Sequence, residues 1–446
     1  MNEALISPFN ITHPTTIQTP LYTYRALLSR FDPSGRFVGV GTFDGSAYIY
    51  DLDTRAPVRT LDGHVKNITS LDWSRHSRYV LTSSKDWNVI IWDLSSTCDP
   101  PQRLATIRLD APVSWASFHP RNSQIILILT STGEVYLQDL RPSYRERFEL
   151  CEPQEEGEDE ESGRRAAMTV ARFDPSGKQI FVGTSSGHIL VFNTRTRIMV
   201  GRHKTGGGTM KGFEFAKSGR RLLTNSSDRT LRQYNLPTYP QPGEGVLETD
   251  LEPTHRFNDP ITKTAWNAMS YSPDGEWLAG GSADPASHKI YIWDISNDGQ
   301  FTAALDGGRE QLLHLHVRTL EALHLWHPSK SAIVSTALHG NIFLWHSPNP
   351  ERWGAFAGGF EEVDENVEYE EKEDEFDIED EEEIHKRKMK AEEEDVDVDA
   401  ISDETHQKPQ FLPQENEDDE WADLEPDDDC TSWKMKIILE ASDSLP

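Results

Sequence analysis

One part of the chain contains a histidine, a serine and an aspartate, the residue types of a nucleophilic triad. His64 follows Gly63, and Ser84 and Asp86 precede the pair Trp92-Asp93. A triad requires one unique geometry, in which a base accepts the proton of the attacking hydroxyl. The turn aspartate, however, recurs at Asp44, Asp86, Asp228 and Asp284. Repetition is typical of a structural device, and buried polar groups are tolerated when they are paired. The favoured interpretation is therefore a hydrogen-bonded chain of His, hydroxyl, Asp and Trp that ties an outer loop to inner strands.

Other signs of catalysis are missing from the sequence. It contains no GxxxxGK[ST] phosphate loop, no HExxH, no GxSxG and no GxGxxG after a strand. The run Gly206-Gly207-Gly208 lacks a following Lys-Ser/Thr and is interpreted as a turn. Cys98, Cys151 and Cys430 are far apart and in no CxxC setting, which argues against a zinc site or a disulfide framework. We therefore predict no catalytic residue, no metal and no cofactor, and a chain that is not an enzyme on its own.

A repeated β-rich unit carries these residues. Each unit has an apolar strand, a turn such as Asp32-Pro33-Ser34-Gly35, a small-residue strand, a tight turn and a β-branched strand. The residues that close the units are Tyr50, Trp92, Leu137, Phe192, Tyr234, Trp293 and Trp345. Their shortest spacings, 42 and 45 residues, match the period of roughly 40–45 residues in four-stranded propeller blades. The predicted fold is all-β, a seven-bladed β-propeller over residues 1–350, which leaves no long exposed strand edge.

The longer spacings require insertions. Residues 146–165 contain seven acidic residues between Glu152 and Glu161, and residues 236–259 are rich in Pro, Gly and Glu. Both are predicted to be surface loops. Residues 1–27 are expected to supply the outer strand of the last blade and so close the ring. The N-terminus has no signal-peptide pattern, and no apolar run approaches the ~18 residues of a spanning helix, so we expect no membrane association and a cytosolic or nuclear protein.

Acidic residues are concentrated after the last repeat. Residues 351–446 hold 37 Asp/Glu and 9 Lys/Arg, whereas the first 350 hold 38 and 35, so the tail carries −28 of the net charge of −31. Such a tail is predicted to be disordered alone and to be an interaction segment. In the body, Arg229, Arg232 and Lys263 could contact nucleic-acid backbone if they share a face. Because the body is near neutral, ordinary solvated side chains are the favoured alternative.

The tail begins with a block that carries a family resemblance. It runs from Trp353-Gly354-Ala355-Phe356, through Asp364-Glu365-Asn366-Val367-Glu368-Tyr369, to Glu375-Phe376-Asp377-Ile378-Glu379-Asp380. This block closely resembles the retinoblastoma-binding protein 5 family, the WD-repeat subunit of COMPASS-type complexes that methylate lysine-4 of histone H3. The chain looks like a fungal member. The family pattern is not followed at Lys372 and Asp374, so regulation by phosphate at that point is not expected.

The resemblance implies a non-catalytic scaffold and activator in the nucleus, with three contact segments. Within 351–380, residues that resemble the contact with the SET-domain methyltransferase subunit are Trp353, Phe356, Phe360, Val363, Asn366, Val367 and Tyr369. Those that resemble the SPRY-domain subunit's binding segment are Glu371, Glu375, Phe376, Asp377 and Ile378. Within the acidic tail 381–446, a motif near 394–398 is similar to the one that binds a small WD-propeller subunit, and its residues are Asp395, Val396, Asp397 and Val398. The complex would engage the nucleosome. The alternative is an acidic-tailed histone chaperone or another chromatin-binding propeller.

Overall fold

The computed structural model describes residues 14–17, 20–98, 100–141, 147–153, 166–240, 245–259, 265–320 and 330–346. Its strands form seven sheets, so the prediction of a seven-bladed all-β propeller is confirmed. None of these described residues is helical. The tail segments 353–380 and 394–398, and Lys263, lie outside the described residues.

Each blade contains three successive antiparallel strands, and an outer strand pairs with the third of them. The innermost strands are β3 (Ala26–Phe31), β7 (Ile68–Trp73), β11 (Val113–Phe118), β15 (Met168–Phe173), β19 (Met210–Phe215), β24 (Trp266–Tyr271) and β28 (Leu312–Leu320). The second strands are β4 (Phe37–Thr42), β8 (Tyr79–Ser84), β12 (Ile125–Thr130), β16 (Gln179–Thr184), β20 (Arg221–Ser226), β25 (Trp277–Ser282) and β29 (Lys330–Ala337). The third strands are β5 (Ser46–Asp51), β9 (Asn88–Asp93), β13 (Val135–Asp139), β17 (His188–Asn193), β21 (Leu231–Asn235), β26 (Lys289–Asp294) and β30 (Asn341–His346).

The outer strands of blades 1–6 are β6 (Pro57–Asp62), β10 (Gln102–Arg108), β14 (Arg147–Leu150), β18 (Met199–Lys204), β23 (His255–Phe257) and β27 (Gln300–Asp306). In blade 7 this place is taken by the start of the chain. There β1 (Thr16–Ile17) and β2 (Leu21–Tyr22) pair with β30, with Ile17 opposite Trp345 and Leu21 opposite Ile342. The first and last parts of the described chain therefore share one sheet, which joins the ends of the ring.

The core lies between blades because alternate residues of a strand point to opposite faces. In β9, Ile90 and Trp92 pack among blade-1 and blade-2 residues, whereas Val89 and Ile91 pack against blade 3. The seven closing residues predicted from the repeats lie one in each third strand, and each is at most 7% exposed. A fully buried side chain of this size contributes about 1.5–3 kcal/mol.

Two of the predicted loops contain strands. β14 lies inside 146–165, and β22 (Leu247–Asp250) and β23 lie inside 236–259. β22 pairs in parallel with β18 of blade 4, whereas β23 completes blade 5. The loop prediction was wrong there because these strands are only three or four residues long and largely polar. Partners elsewhere in the chain, rather than a local alternation of apolar residues, decide their conformation.

Candidate functional site

His64 is part of a chain of hydrogen bonds that also contains Asp86, Thr82 and Trp92. His64 Nδ1 lies 3.0 Å from Asp86 Oδ2, and His64 Nε2 lies 2.9 Å from Thr82 Oγ1. The indole Nε1–H of Trp92 donates to the same Thr82 oxygen at 2.9 Å. One arrangement of protons satisfies all three contacts: a neutral His64 donates from Nδ1 to Asp86 and accepts at Nε2 from the Thr82 hydroxyl. The predicted links of His64, Asp86 and Trp92 through a hydroxyl are present, but the hydroxyl belongs to Thr82 and not to Ser84, so that part of the prediction was wrong.

Ser84 is not placed as a nucleophile. Its hydroxyl donates to the Lys66 carbonyl at 2.9 Å and accepts from the backbone N–H of Asp86. The His64 side chain is 1% exposed, and burial lowers its pKa, although Asp86 opposes the change. Burial alone would raise the pKa of Asp86, but His64 and the backbone N–H groups of Val65 and Asn88 stabilise its carboxylate and lower the pKa. A neutral, enclosed histidine with both nitrogens engaged holds a loop against two strands rather than activating a hydroxyl.

Blade 7 contains a second network that the repeat pattern did not reveal. His288 Nε2 lies 2.8 Å from Ser335 Oγ, and the Nε1–H of Trp345 donates to Ser335 Oγ at 2.9 Å. Ser335 and Trp345 correspond to Thr82 and Trp92 in their strands. The histidine comes from blade 6 instead of the loop before blade 7. Burial lowers its pKa to about 4. The sequence signal for this role was Gly63-His64 before blade 2, and Gly307-Gly308 stands at the corresponding place before blade 7.

One face of the ring is built from seven equivalent turns, which join the second and third strands of each blade. We call it the turn face. The first residue of each turn donates its backbone N–H to a carbonyl in the connection that enters the blade. These residues are Phe43, Lys85, Ser131, Ser185, Ser227, Ala283 and Leu338. The repeated bond shows that the seven positions are equivalent, so differences among their side chains are not required by the turn.

Two of these turns hold a bulky residue in the left-handed region. Trp87 has φ 73° and Arg229 has φ 67°, where blades 1, 3, 4 and 7 have Gly45, Gly133, Gly187 and Gly340. A non-glycine residue in this conformation costs about 1–3 kcal/mol, and such strain concentrates at functional positions. Trp87 is 40% exposed, and Arg229 is also exposed. Both side chains are therefore presented to solvent at an energetic cost.

The structure distinguishes the two described members of the predicted basic group. Arg229 extends from the turn face of blade 5, and its backbone carbonyl accepts from Trp266 Nε1. Arg232 is 11% exposed and its guanidinium is bonded to Asp228 and to Ser226 Oγ. Contact with a phosphate backbone would require Arg232 to leave these partners. Lys263 lies outside the described residues.

The inner strands surround a cavity of about 270 Å³ at the centre of the ring. Every innermost strand has the same bulge against its neighbour. This shared register brings one residue from each blade to one level: Arg30, Asp72, Ser117, Arg172, Glu214, Ser270 and His316. Arg30 Nη2 lies 3.1 Å from Asp72 Oδ1. Arg172 stacks over the Trp115 ring at 3.6 Å, a cation–π contact.

Burial among the inner strands shifts the pKa of ionisable groups that line this cavity. Burial raises the pKa of Glu214, although Arg172 and Arg30 oppose the shift. Burial lowers the pKa of His314 to about 4. Three lining atoms have no hydrogen-bond partner in the described protein: Trp115 Nε1, Asn225 Oδ1 and His314 Nδ1. These unpaired polar atoms are therefore buried in the wall of the cavity rather than exposed to solvent.

The part of the chain that the structure describes contains neither a candidate metal site nor a membrane-spanning helix. No group of three or more His, Cys, Asp or Glu side chains there could hold a metal ion. No helix in that part is long and apolar enough to span a membrane.

Comparison with known proteins finds a matching repeat model and several relatives that agree with one another. The model of the WD domain, G-beta repeat, matches residues 55–93 and 252–294. The Set1 complex component swd1 of Schizosaccharomyces pombe is 31% identical over 83% of this chain and 88% of that protein. The retinoblastoma-binding protein 5 homolog of Drosophila melanogaster is 32% identical over 83% of this chain and 71% of that protein. The chain belongs to the Swd1/retinoblastoma-binding protein 5 family.

Further members agree with this placement. The COMPASS component SWD1 of Saccharomyces cerevisiae is 30% identical over 83% of this chain and 86% of that protein. The crystal structure of the Cps50 (Swd1) β-propeller domain of Myceliophteria thermophila matches with a TM-score of 0.65 and 27% identity, over 74% of this chain and 99% of that one. The resemblance inferred from residues 353–380 is thereby confirmed at the level of the family.

Proposed function

We propose that this Swd1/retinoblastoma-binding protein 5 family member is a non-catalytic scaffold and activator subunit of a COMPASS-type histone H3 lysine-4 methyltransferase complex in the nucleus. The observation that carries the proposal is the family membership, since two relatives are named as components of the Set1 complex and of COMPASS. The paired hydrogen bonds of the His64 network support a structural ring, with the chemistry supplied by a partner.

The contacts are assigned to the segments that follow the ring. Residues 353–369 would contact the SET-domain subunit, residues 370–380 the SPRY-domain subunit, and residues 395–398 a small WD-propeller subunit. Arg229 would contact the nucleosome, because its side chain is exposed and held on the turn face. Arg232 would contribute less, since Asp228 and Ser226 occupy its guanidinium.

Apolar anchors are the physical requirement of this arrangement. A segment that becomes ordered on binding loses about 2–5 kcal/mol, which buried side chains such as Phe360, Phe376 and Ile378 would offset. Ordering the partner then raises its activity by favouring its competent conformation, a shift of population rather than added chemistry. The acidic residues between the anchors keep the segment soluble and can pair with basic side chains of the partners.

Reconstitution of the four-subunit complex tests the proposal. A F360A/F376A/I378A variant should lower lysine-4 methylation of nucleosomes at least 10-fold, because loss of one buried anchor costs about 2 kcal/mol and about 30-fold in affinity. The matched control is I401A/F411A/L412A, which removes three apolar side chains of the same tail outside the assigned segments. Wild-type methylation by the first variant would overturn the proposal.

A histone chaperone is the second candidate, favoured by the tail's charge of −28. Binding by charge alone should collapse as salt rises, because ions screen exposed charges over about 10 Å at 0.1 M. It should also survive scrambling of residues 351–446 at constant composition. The assembly proposed above should lose its partners when these residues are scrambled. Pull-downs with the scrambled chain at 0.1 and 0.5 M salt distinguish the two functions.

A further inference from the structure

The face of the ring opposite the turn face separates basic from acidic residues. We call it the lower face, and it consists of the turns that join first and second strands and of the connections that follow third strands. The described parts of these segments in blades 3–5 hold seven basic residues and one acidic residue. They are residues 119–124, 140–141, 174–178, 194–198, 216–220 and 236–240. In blade 6 the same segments, 272–276 and 295–299, hold three acidic residues and no basic one.

Five of the seven basic residues form what we call the basic sector. The other two serve the ring. Arg141 Nη2 lies 2.7 Å from Asp139 Oδ2. The Arg197 guanidinium lies 3.1 Å from the centre of the Phe148 ring. The members of the basic sector are Arg121, Lys178, Arg195, Lys217 and Arg220. Four of them, all but Arg121, are exposed and so present positive charge to solvent.

The segments that carry the basic sector adjoin one another. His119 Nε2 lies 2.9 Å from the Gly177 carbonyl, which joins the turns of blades 3 and 4. The Thr194 hydroxyl donates to the same carbonyl at 2.7 Å, which joins the two segments of blade 4. Pro175 Cδ lies 3.7 Å from the place that a Cβ would take at Gly219, so the turns of blades 4 and 5 are also neighbours. The basic sector therefore extends over three successive blades.

One position of the lower face is equivalent in six blades. The carbonyl of the last turn residue accepts the backbone N–H of the first residue of the connection in each of them. The accepting residues of blades 1–6 are, in order, Arg36, Arg78, Gln124, Lys178, Arg220 and Glu276. In blades 1 and 2 the arginine pairs with the aspartate that ends the third strand. Arg36 Nε lies 3.4 Å from Asp51 Oδ1, and Arg78 Nη2 lies 3.2 Å from Asp93 Oδ2.

In blades 4 and 5 the corresponding aspartate is replaced by asparagine. Asn193 and Asn235 have the strand register of the aspartates in blades 1 and 2, each opposite the first residue of the second strand. Asn193 Oδ1 still accepts the backbone N–H of Arg195, so the turn keeps its hydrogen bond without a carboxylate. A carboxamide carries no charge, so the positive charges of Lys178 and Arg220 are not neutralised at this position. The two basic residues exceed what this ion pair of the ring requires.

The basic sector borders the mouth of the central channel. A cavity of about 620 Å³ lies there and shares Arg30 and Arg172 with the cavity among the inner strands. Lys217 of the basic sector lines this mouth. Four prolines from the turns of blades 1, 3, 4 and 6 also line it: Pro33, Pro120, Pro175 and Pro273. The mouth therefore offers apolar surface beside positive charge, at a volume typical of ligand sites, about 300–1,000 Å³.

Two features favour a protein segment over a nucleic acid as the occupant. No aromatic side chain is exposed in the described segments of the lower face of blades 3–5, whereas single-stranded nucleic acids bind on aromatic platforms. The turn of blade 6 lies beside that of blade 5, since a Cβ at Gly275 would stand 3.9 Å from Ala216 Cβ. Its exposed Asp274 and Glu276 would repel a phosphate backbone that extended across the face.

We propose that the basic sector binds an acidic segment of a partner protein, whose Asp and Glu side chains contact Lys178, Lys217 and Arg220. One apolar side chain of the segment enters the proline-lined mouth. Complementary charge directs such an encounter and sets its register, and the apolar contact adds affinity that salt does not screen. This inference does not depend on the proposed function, whose contacts are assigned to the turn face and to residues 353–398.

Fluorescence anisotropy with the full chain tests the proposal. The probe is a fluorescein-labelled synthetic peptide of alternating Asp and Glu residues with one central leucine. A K178E/R220E variant should bind it about 10-fold more weakly than the wild type at 0.1 M salt, because two attractive contacts become repulsive. The matched control K66E/K85E makes the same change of net charge at exposed positions of the turn face. It should change the Kd by less than about 3-fold, because salt screens charges that are remote from the peptide.

Two further variants test the comparison among blades and the role of the mouth. N193D/N235D gives blades 4 and 5 the carboxylates of blades 1 and 2 and should weaken binding about 3-fold, although no basic residue is removed. A peptide with serine in place of the central leucine should bind the wild type about 5-fold more weakly, because it loses the apolar contact. Melting temperatures equal to that of the wild type show that each variant is folded.

Three results would overturn the inference. One is no binding of the peptide by the full chain, whether the basic sector is inert or covered by acidic residues of the chain itself. Another is an equal loss in K178E/R220E and K66E/K85E, because binding would then follow net charge alone. The third is tighter binding of duplex DNA or of single-stranded RNA that K178E/R220E abolishes, because a nucleic acid would then be the occupant. Since no methylation assay is involved, failure here leaves the proposed scaffold function separately testable.

Discussion

The buried histidine of blade 7 should make the propeller sensitive to mild acid. His288 is fully buried, lies 2.8 Å from Ser335 Oγ and stacks edge-on against Phe343. Burial lowers its pKa to about 4, with Asp306 opposing the change. In the unfolded chain the pKa of a histidine is about 6.5. Between these two values the unfolded chain binds a proton that the folded ring does not, so the free energy of unfolding falls as pH falls.

The size of the effect follows from the two pKa values. Going from pH 7 to pH 5, the difference in proton binding at His288 should lower the free energy of unfolding by about 2 kcal/mol. A His288→Gln variant cannot titrate. It should be less stable than the wild type at pH 7, because packing against Phe343 changes, but its loss between pH 7 and pH 5 should be smaller by about 2 kcal/mol.

Urea unfolding followed by tryptophan fluorescence at the two pH values measures this difference. The matched control is His339→Gln, at an exposed position of the turn face, which tests for the effect of the substitution itself. If the wild type and His288→Gln lose the same free energy between pH 7 and pH 5, the burial argument is refuted. A similar loss in the control variant and in the wild type is the expected result.

Two further predictions concern the framework. Thr82→Val should cost about 1–3 kcal/mol more than Thr82→Ser in the same urea assay, because only serine keeps a hydroxyl between His64 and Trp92; equal losses would contradict the network. Gly340→Ala should be more destabilising than Gly308→Ala by about 1–3 kcal/mol. Both glycines have positive φ, but an added Cβ at Gly340 would lie 2.2 Å from the Thr23 carbonyl, whereas Gly308 has open space; equal melting temperatures would contradict this.

The fold could be predicted because the same local sequence pattern recurs in every blade. Each closing aromatic or apolar residue, such as Trp92 or Phe192, ends a short β-branched strand that must be buried on both faces. Such a unit cannot bury itself alone, so seven copies at this spacing indicate a closed ring. The short strands β22 and β23 could not be predicted in this way. Apolar and polar residues alternate only weakly in them, and their partner strands are more than 20 residues away in sequence. For β22 the partner, β18, belongs to the preceding blade.

For the candidate site, the sequence predicted the types of residue in the hydrogen-bond network but not which individual residues contact each other. The His–hydroxyl–Asp–Trp chain was expected from Gly63-His64 and Trp92, but a search by spacing favours Ser84, whereas the strand pairing places Thr82 beside both rings. In blade 7, the histidine that serves Ser335 belongs to a different blade. Sequence distance does not reveal which of several histidines reaches a given hydroxyl, because the curvature of the ring decides it.

The sequence by itself determined the number of blades, the neutral ring and acidic tail, and the family, because these depend on repeated local patterns, on composition and on a contiguous block of residues. Only the tertiary structure determines which residues lie together on one surface. It brought seven residues from seven inner strands to one level of the channel, and it collected Tyr24, Phe43 and Leu338 on one sector of the turn face. The physical reason is ring closure: it places the first and last blades side by side, although more than 300 residues separate them in sequence.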